Sequence, residues 1–194
     1  MATLTKARAV FLDRDGTLIR DVGYLRLEDQ LEILPRVPES IRLLRERGFR
    51  LVVVTNQSAV ARGRLTEAEL DRIHHELNAR LAKEGAQLDG FYYCPHHPTE
   101  GIGAYNVECD CRKPNAGMVR RAAADLGLDP SRSFVVCDQG IDMELADRVG
   151  AKGILIAREL RAGGDSAASK HAVVSDLWQA AQWILGQRGQ SSRR

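Results

Sequence analysis

Short, continuously apolar runs alternate along this chain with segments that have the periodicity of amphipathic helices. This alternation limits the possible folds more than any other feature, because unbroken apolar runs are typical of strands buried on both faces of a sheet. We predict strands at residues 7–12, 51–55, 91–93, 133–137 and 153–157. Since strands joined through helices form right-handed crossovers, the pattern predicts an α/β fold: a doubly wound, Rossmann-like parallel sheet with helices on both faces.

Helical patterns follow most of these strands. Pro38 opens the first helix and Gly48 ends it, and Thr66 and Glu69 have the spacing of a capping box at the start of the second. The segment from residue 18 to 34 has no clear period and is interpreted as an excursion from the sheet. The later helices are predicted near residues 116–126, 143–149 and 177–185.

Length and charge limit the class of protein. A chain of 194 residues favours one domain, which we place at 1–186, and residues 187–194 form a tail with too little to bury to be ordered. The net charge of +2 is close to balance and does not indicate a basic surface that would bind nucleic acid. There is no membrane-spanning run, and the N-terminus lacks the apolar core of a signal peptide. We therefore expect a cytoplasmic monomer with neither a nucleic-acid nor a membrane partner.

Two carboxylates, Asp13 and Asp15, follow the first strand one residue apart, with Gly16 and Thr17 directly after them. Because side chains alternate along a strand, we expect both carboxylates on one face and Arg14 pointing away. Clustered carboxylates repel each other, so their proximity indicates a chemical requirement. A divalent cation between them, a pairing of a nucleophile with an acid, or both would account for it. The alternative is an ordinary solvated turn, since Asp and Gly are common turn residues.

Ligands bind parallel sheets at the carboxyl ends of the strands. That edge would bring Asp13 and Asp15 together with Thr55, which ends the second strand, and Asp138, which ends the fourth. Three carboxylates in a small space need a hard cation, and Mg²⁺ is the usual one when phosphate oxygens complete its shell. Lys113 and Thr55 could hold the remaining phosphate oxygens. The sequence therefore predicts a phosphoryl-transfer site with a carboxylate nucleophile.

Three of the four cysteines lie close together in sequence, between residues 94 and 111. In a cytosolic chain such a group favours metal binding over disulfides. The residues that match a closed, four-coordinate zinc site are Cys94, His96, Cys109 and Cys111. His97 is the alternative imidazole, and a reduced, metal-free loop is the alternative to zinc. Cys137 lies in a strand and is expected to be a small buried hydrophobe.

In their order along the chain, these motifs resemble the four motifs of the haloacid dehalogenase superfamily of phosphohydrolases. The resemblance covers nearly the whole chain. Its residues are 13–17, Thr55, Lys113, and Asp138 with Asp142. Within the first motif, we expect Gly16 to let the chain turn close to the phosphate and Thr17 to hold Asp13 in place.

The resemblance assigns roles to these residues. It implies that Asp13 attacks phosphorus to form an aspartyl-phosphate, and that Asp15 protonates the leaving alcohol and then activates water. Mg²⁺ would be held by the Asp13 carboxylate, the Asp15 backbone carbonyl and Asp138. We expect Asp142 to be a partner of Lys113 rather than a metal ligand, the alternative being a plain carboxylate at a helix start.

The cysteine loop narrows the resemblance to one family. Cys-Pro-His-His-Pro at 94–98 and Cys-Asp-Cys-Arg-Lys-Pro at 109–114 are similar to the zinc loop of the heptose 1,7-bisphosphate 7-phosphatase family, whose pattern favours His96 over His97. This implies hydrolysis of the 7-phosphate of D-glycero-D-manno-heptose 1,7-bisphosphate, on the route to the nucleotide-activated heptose of lipopolysaccharide cores. Zinc would not take part in the chemistry but would fix the loop that presents Arg112 and Lys113.

A chain this short leaves no room for a large cap domain, so loops would cover the site. A site covered only by loops favours either a bulky substrate that extends out of the site or a small substrate that the loops themselves hold. The substrate-binding residues that the family resemblance implies are Asp21, Val22, Gly23, Tyr24, Asn56, Gln57, Ser58, Arg112 and Gln139. Arg112 would suit the second phosphate, because a guanidinium binds phosphate in a bidentate manner.

Two other functions are compatible with these motifs. Histidinol-phosphate phosphatases share the zinc loop, but their second motif typically continues Thr-Asn-Gln-Asp-Gly, whereas residues 55–59 here are Thr-Asn-Gln-Ser-Ala. A zinc-stabilised binding module without turnover is the non-enzyme alternative. Three positions depart from the sequence pattern of the heptose bisphosphate phosphatases: Ala59, Ala116 and Cys137. Of these, Ala59 bears on which substrate, and which anomer of it, the enzyme prefers.

Overall fold

The computed structural model describes residues 6–26, 30–157 and 170–187. Its six strands form one parallel sheet in the order β3-β2-β1-β4-β5-β6. The strands are β1 (Ala9–Leu12), β2 (Arg50–Asn56), β3 (Gly90–Cys94), β4 (Phe134–Cys137), β5 (Lys152–Ile156) and β6 (Ala172–Val174). This is the predicted α/β architecture, with β1 at the centre of the sheet between β2 and β4.

Helices lie between the first five strands, and a further helix follows β6. They are α1 (Val37–Glu46), α2 (Ser58–Ala61), α3 (Glu67–Lys83), α4 (Gly117–Leu126), α5 (Ile141–Val149) and α6 (Leu177–Gly186). Pro38 lies in the first turn of α1. The capping box that starts α3 is confirmed, since the Thr66 hydroxyl accepts from the Glu69 N–H and the Glu69 carboxylate accepts from the Thr66 N–H. No helix in the described part of the chain is both long and apolar enough to cross a bilayer.

The sheet is covered on both faces. On one face, Val10 and Leu12 of β1 pack in a cluster with apolar residues of α1, α3 and α6. On the other face, Ala9 and Phe11 pack with residues of α4 and α5. All four side chains are fully buried. Burying a Val, Leu or Phe side chain stabilises a fold by roughly 1.5–3 kcal/mol. Strand β1 is therefore stably packed and holds the start of the following loop in a fixed position.

Two elements were not predicted. Helix α2 has four residues, too few to show a helical period. Strand β6 has three residues and follows a segment, 158–169, that lies outside the described residues. The predicted tail, 187–194, also lies outside them except for Gln187.

The carboxyl ends of β1, β2 and β4 lie side by side because the strands are parallel neighbours. Asp13 directly follows β1, Asp138 directly follows β4, and Thr55 and Asn56 end β2. The sheet thus brings the predicted polar residues to one edge.

Candidate active site

A buried ion-pair cluster lies at the end of β1. The Lys113 ammonium is 3.1 Å from Asp13 Oδ1 and 2.7 Å from Asp142 Oδ1, and it donates to the Val54 carbonyl of β2 at 3.2 Å. Asp13 Oδ1 also accepts from the backbone N–H of Arg14 at 2.8 Å. The expected pairing of Asp142 with Lys113 is therefore confirmed, and these contacts fix one oxygen of Asp13.

The charges in this cluster support each other. Lys113 is 3% exposed, and burial by itself disfavours its charged form. The carboxylates of Asp13 and Asp142 outweigh burial and raise the pKa of Lys113 above its ordinary value. The lysine therefore stays charged and can hold an anionic group beside Asp13.

Asp138 lies against Gly16. The φ of Gly16 is +73°, and a Cβ at this position would lie 1.9 Å from Asp138 Oδ2. A side chain at position 16 would therefore collide with the Asp138 carboxylate. The sequence predicted only that Gly16 lets the chain turn close to the phosphate, and did not predict this contact. Asp138 Oδ1 is buried and has no hydrogen-bond partner in the described part of the chain. Burial, followed by the negative charge of Asp13, raises the pKa of Asp138 to about 6.

The orientation predicted for Arg14 was wrong. Strand β1 ends at Leu12, so the alternation of side chains does not continue through residues 13–15. The Arg14 guanidinium turns back onto the Asp15 carboxylate, with Nη2 at 3.1 and 3.0 Å from its two oxygens and Nε at 3.2 Å from Oδ1. The Asp15 side chain keeps 22% exposure, so it can still meet a ligand.

Gln57 and Asn56 bind protein groups. The Gln57 amide donates to Asp15 Oδ2 at 3.0 Å and to Thr55 Oγ1 at 2.9 Å, and it accepts from Arg14 Nη2 at 2.9 Å. The Asn56 side chain accepts from the Lys113 N–H at 3.0 Å and donates to the Lys113 carbonyl at 3.3 Å. Both residues were expected to bind substrate, whereas their contacts in this structure hold other site residues in place.

The hydroxyl of Thr17 does not hold Asp13 as expected. Thr17 is 1% exposed, and its Oγ1 has no hydrogen-bond partner in the described ranges. Asp13 is held through Lys113 and the Arg14 N–H instead.

The remaining substrate-binding candidates lie on the loop at residues 21–24, at the start of α2, and on the segments that contain Arg112 and Gln139. Arg112 donates through Nη1 to Ser58 Oγ at 3.2 Å and to the His96 carbonyl at 2.9 Å. The Tyr24 ring lies under the guanidinium of Arg64, 4.4 Å from its centroid. The exposed candidates are Asp21, Val22, Gly23 and Gln139.

The four predicted zinc ligands lie together. The ligand atoms of Cys94, His96, Cys109 and Cys111 all lie within 4.8 Å of one another, and the three sulfurs are 3.1–3.5 Å apart. Burial raises the pKa of Cys94 to about 11 and also raises that of Cys111. Three thiolates would therefore not coexist here without a cation, and a donor set of three sulfurs and one imidazole fits zinc.

His97 lies outside this cluster. Its Nδ1 accepts from the N–H groups of Thr99 at 3.3 Å and Glu100 at 3.1 Å. The preference for His96 thus agrees with the geometry. Cys137 is fully buried in β4, as expected.

Sequence reasoning missed His74 and Arg62. His74 lies four residues after Leu70 and three before Leu77 on the apolar stripe of α3, and this position indicates burial. Arg62 forms an ion pair with Glu100 of the zinc loop, for which the sequence gives no signal.

Comparison with known proteins gives the same family. Residues 110–180 match the HAD-hydrolase-like family. The chain is 43% identical over 152 residues to D-glycero-beta-D-manno-heptose-1,7-bisphosphate 7-phosphatase of Haemophilus ducreyi, covering 78% of this chain and 83% of that protein. It is 44% identical over 146 residues to the protein of that name from Escherichia coli K12, covering 74% and 76% respectively.

Solved structures agree. A structure of D,D-heptose 1.7-bisphosphate phosphatase from B. bronchiseptica, complexed with magnesium and phosphate, matches with a TM-score of 0.79 and 30% identity, covering 93% of this chain and 99% of that one. A HAD-like phosphatase from Mesorhizobium loti matches with a TM-score of 0.80 and 30% identity, covering 92% and 88%. The chain therefore belongs to the haloacid dehalogenase superfamily, within the family of the heptose 1,7-bisphosphate 7-phosphatases, and is a phosphoric monoester hydrolase.

Proposed function

We propose that this enzyme is a Mg²⁺-dependent phosphatase that removes the 7-phosphate of D-glycero-β-D-manno-heptose 1,7-bisphosphate. The product would be the 1-phosphate, which supplies nucleotide-activated heptose for lipopolysaccharide cores. The observation that carries the proposal is the buried cluster in which Asp13 and Asp142 flank Lys113. The names of the relatives supply the substrate and its anomer.

The donor set at the strand ends fits Mg²⁺. Asp138 Oδ1 is buried without a partner in the described residues, and burial, followed by the negative charge of Asp13, raises the pKa of Asp138. A bound cation would compensate both the burial and the repulsion. The Asp13 carboxylate, the Asp15 backbone carbonyl and Asp138 would hold the ion. Bound Mg²⁺ supplies positive charge to the phosphoryl oxygens.

The side chains around Asp13 suit a two-step displacement. An Asp13 oxygen attacks phosphorus, the bond to the sugar oxygen breaks, and Asp15 gives that oxygen a proton. In the second step Asp15 takes a proton from water, which attacks the aspartyl-phosphate and releases phosphate. Lys113 and Thr55 hold phosphoryl oxygens in both steps.

Zinc has a structural role in this proposal. Cys94, His96, Cys109 and Cys111 would complete a four-coordinate site and leave no open position for chemistry. The next residue, Arg112, contacts Ser58 of α2. Zinc would thus fix the loop that presents Arg112 to the second phosphate of the substrate.

The loops around the site would select the sugar. Residues 21–24, Asn56, Gln57, Ser58 and Gln139 line the approach in this proposal, with Asn56 and Gln57 acting through the groups that they hold. We propose further that residues 1–186 form one domain and that the enzyme is a cytoplasmic monomer.

A substrate panel tests the assignment. The enzyme is given heptose 1,7-bisphosphate as α and β anomers, histidinol phosphate and simple phosphomonoesters, and kcat/KM is compared because specificity is a ratio of these values. The β-heptose bisphosphate should have the highest kcat/KM. A higher kcat/KM for histidinol phosphate would refute the substrate assignment while leaving the reaction class intact.

A further inference from the structure

His74 is a buried titratable side chain to which the proposed chemistry gives no role. It lies on α3, is 4% exposed, and its Nε2 is 3.2 Å from Arg14 Nη1. We propose that His74 is a positioning residue, which holds the Arg14 guanidinium and through it the carboxylate of Asp15. This inference rests on the proposed function, in which Asp15 is the acid and then the base.

The direction of the hydrogen bond follows from the chemistry of the two groups. A guanidinium has only donors, so His74 Nε2 must accept from Arg14. An imidazole can accept only in its neutral form, with the proton on Nδ1 in this case. Burial and then the Arg14 charge lower the pKa of His74 to about 3, so the ring remains neutral at ordinary pH.

The ring of His74 is itself fixed. It stacks on Phe91 of β3 with centroids 4.8 Å apart and an angle of 18° between the planes. The Tyr93 ring lies 5.7 Å away at 55°. Since β3 and α3 hold the imidazole from two sides, its lone pair has a constant direction.

Arg14 is held on three sides. It bonds Asp15 through Nε and Nη2, Gln57 through Nη2, and His74 through Nη1. Three partners in different directions define the plane of the guanidinium. Without the acceptor on His74, a buried N–H of Arg14 loses its partner, and the guanidinium can rotate to find another. The Asp15 carboxylate would then lose its fixed orientation.

Two variants separate the acceptor from the ring. H74Q keeps an acceptor near the position of Nε2 but loses the aromatic stack, and H74F keeps the stack but has no acceptor. Each is assayed with the β-heptose bisphosphate, whose leaving oxygen needs a proton, and with p-nitrophenyl phosphate, whose leaving group departs without one. We compare kcat/KM, which reports on the steps through the first phosphoryl transfer.

H74F should lose about tenfold more kcat/KM with the sugar phosphate than with p-nitrophenyl phosphate, which corresponds to one hydrogen bond to a charged group. H74Q should recover most of that loss. If H74F does not fold, H74L provides the variant without an acceptor.

Equal losses with the two substrates would mean that His74 only supports the fold and would overturn the inference. It would be overturned equally if H74Q were as impaired as the variant without an acceptor. Both results leave the proposed function standing. A wild-type protein that hydrolyses neither ester would refute the proposed function, and this inference with it.

Discussion

At the scale of single residues, the site depends on charges that are buried together. Lys113 is enclosed between Asp13 and Asp142 and is almost inaccessible to solvent. A buried charge that loses a partner is costly, because the desolvation of the remaining group is no longer compensated. The cluster at the centre of the proposed site is therefore also a sensitive point of the fold.

Removing one carboxylate of the cluster tests this argument. D142N should lower the free energy of unfolding by about 3 kcal/mol, because Lys113 would keep only one charged partner. The matched control is E144Q on the same helix, whose exposed pair with Arg148 should contribute less than about 1 kcal/mol. Urea denaturation of both variants measures the difference, and equal stabilities would contradict the argument.

Gly16 gives a second prediction at this scale. In G16A, the new methyl group would overlap the Asp138 carboxylate, and displacement of that carboxylate should lower kcat/KM about a hundredfold. Gly48, just after the end of α1, is the control, since its φ is +79° but nothing lies within 4 Å of an added Cβ. G48A has the same backbone strain without the collision, so steady-state kinetics should show little loss of kcat/KM. Similar losses in both variants would assign the effect to strain alone.

The sequence predicts which residues form the site better than it predicts how they point. Asp13, Thr55 and Asp138 could be placed at one edge because each lies at the end of a parallel strand. Lys113 lies in a loop, and only its place in the motif pointed to it. The orientation of Arg14 could not be, because the strand ends one residue before Asp13 and a loop has no fixed alternation of side chains.

At the scale of secondary-structure elements, α3 places an imidazole in the core. The pKa of His74 is lowered to about 3 in the folded protein by burial and by Arg14, against about 6.5 in an unfolded chain. Tyr93 of β3 is the other titratable side chain whose ring lies close to it. Between these two pKa values the unfolded state binds a proton that the native state does not.

Stability should therefore fall as the pH is lowered from about 6.5 towards 3, by up to about 1.4 kcal/mol per pH unit from this residue. H74Q lacks this titration. Wild type should lose stability relative to H74Q as the pH falls, as measured by urea denaturation at several pH values between 4 and 7. A constant difference between the two proteins across this range would contradict the burial of a neutral imidazole.

The zinc loop is the second element with a testable role. It is attached to α2 through the N–H of Ile102, which donates to the Ala61 carbonyl at 2.8 Å, and through the Arg62–Glu100 pair. C109S should lose bound zinc, which elemental analysis measures, and should both raise KM and lower kcat, because the loop presents Arg112 and also Lys113, which contacts Asp13. C137S, outside the cluster, should keep its zinc. Full zinc content in C109S would exclude this ligand set.

At the scale of the whole molecule, the parallel sheet explains why distant motifs converge. The rule that parallel strands are joined by helical crossovers was sufficient to place three strand ends side by side. It could not give β6 or α2, which are too short to have a period. It also could not give the contacts between loops, such as those of Arg62 and Arg112, because these depend on how separate segments pack.

In the proposed reaction, Asp13 is the nucleophile of a phosphatase specific for the 7-phosphate of the heptose bisphosphate. The most direct measurement is the ³¹P NMR spectrum of D-glycero-β-D-manno-heptose 1,7-bisphosphate incubated with Mg²⁺ and either wild-type enzyme or D13N. Wild type should convert the 7-phosphate signal to inorganic phosphate and keep the 1-phosphate signal, while D13N should leave both unchanged. Phosphate release by D13N would contradict the role of Asp13 as the nucleophile, and loss of the 1-phosphate with wild type would contradict the specificity for the 7-phosphate.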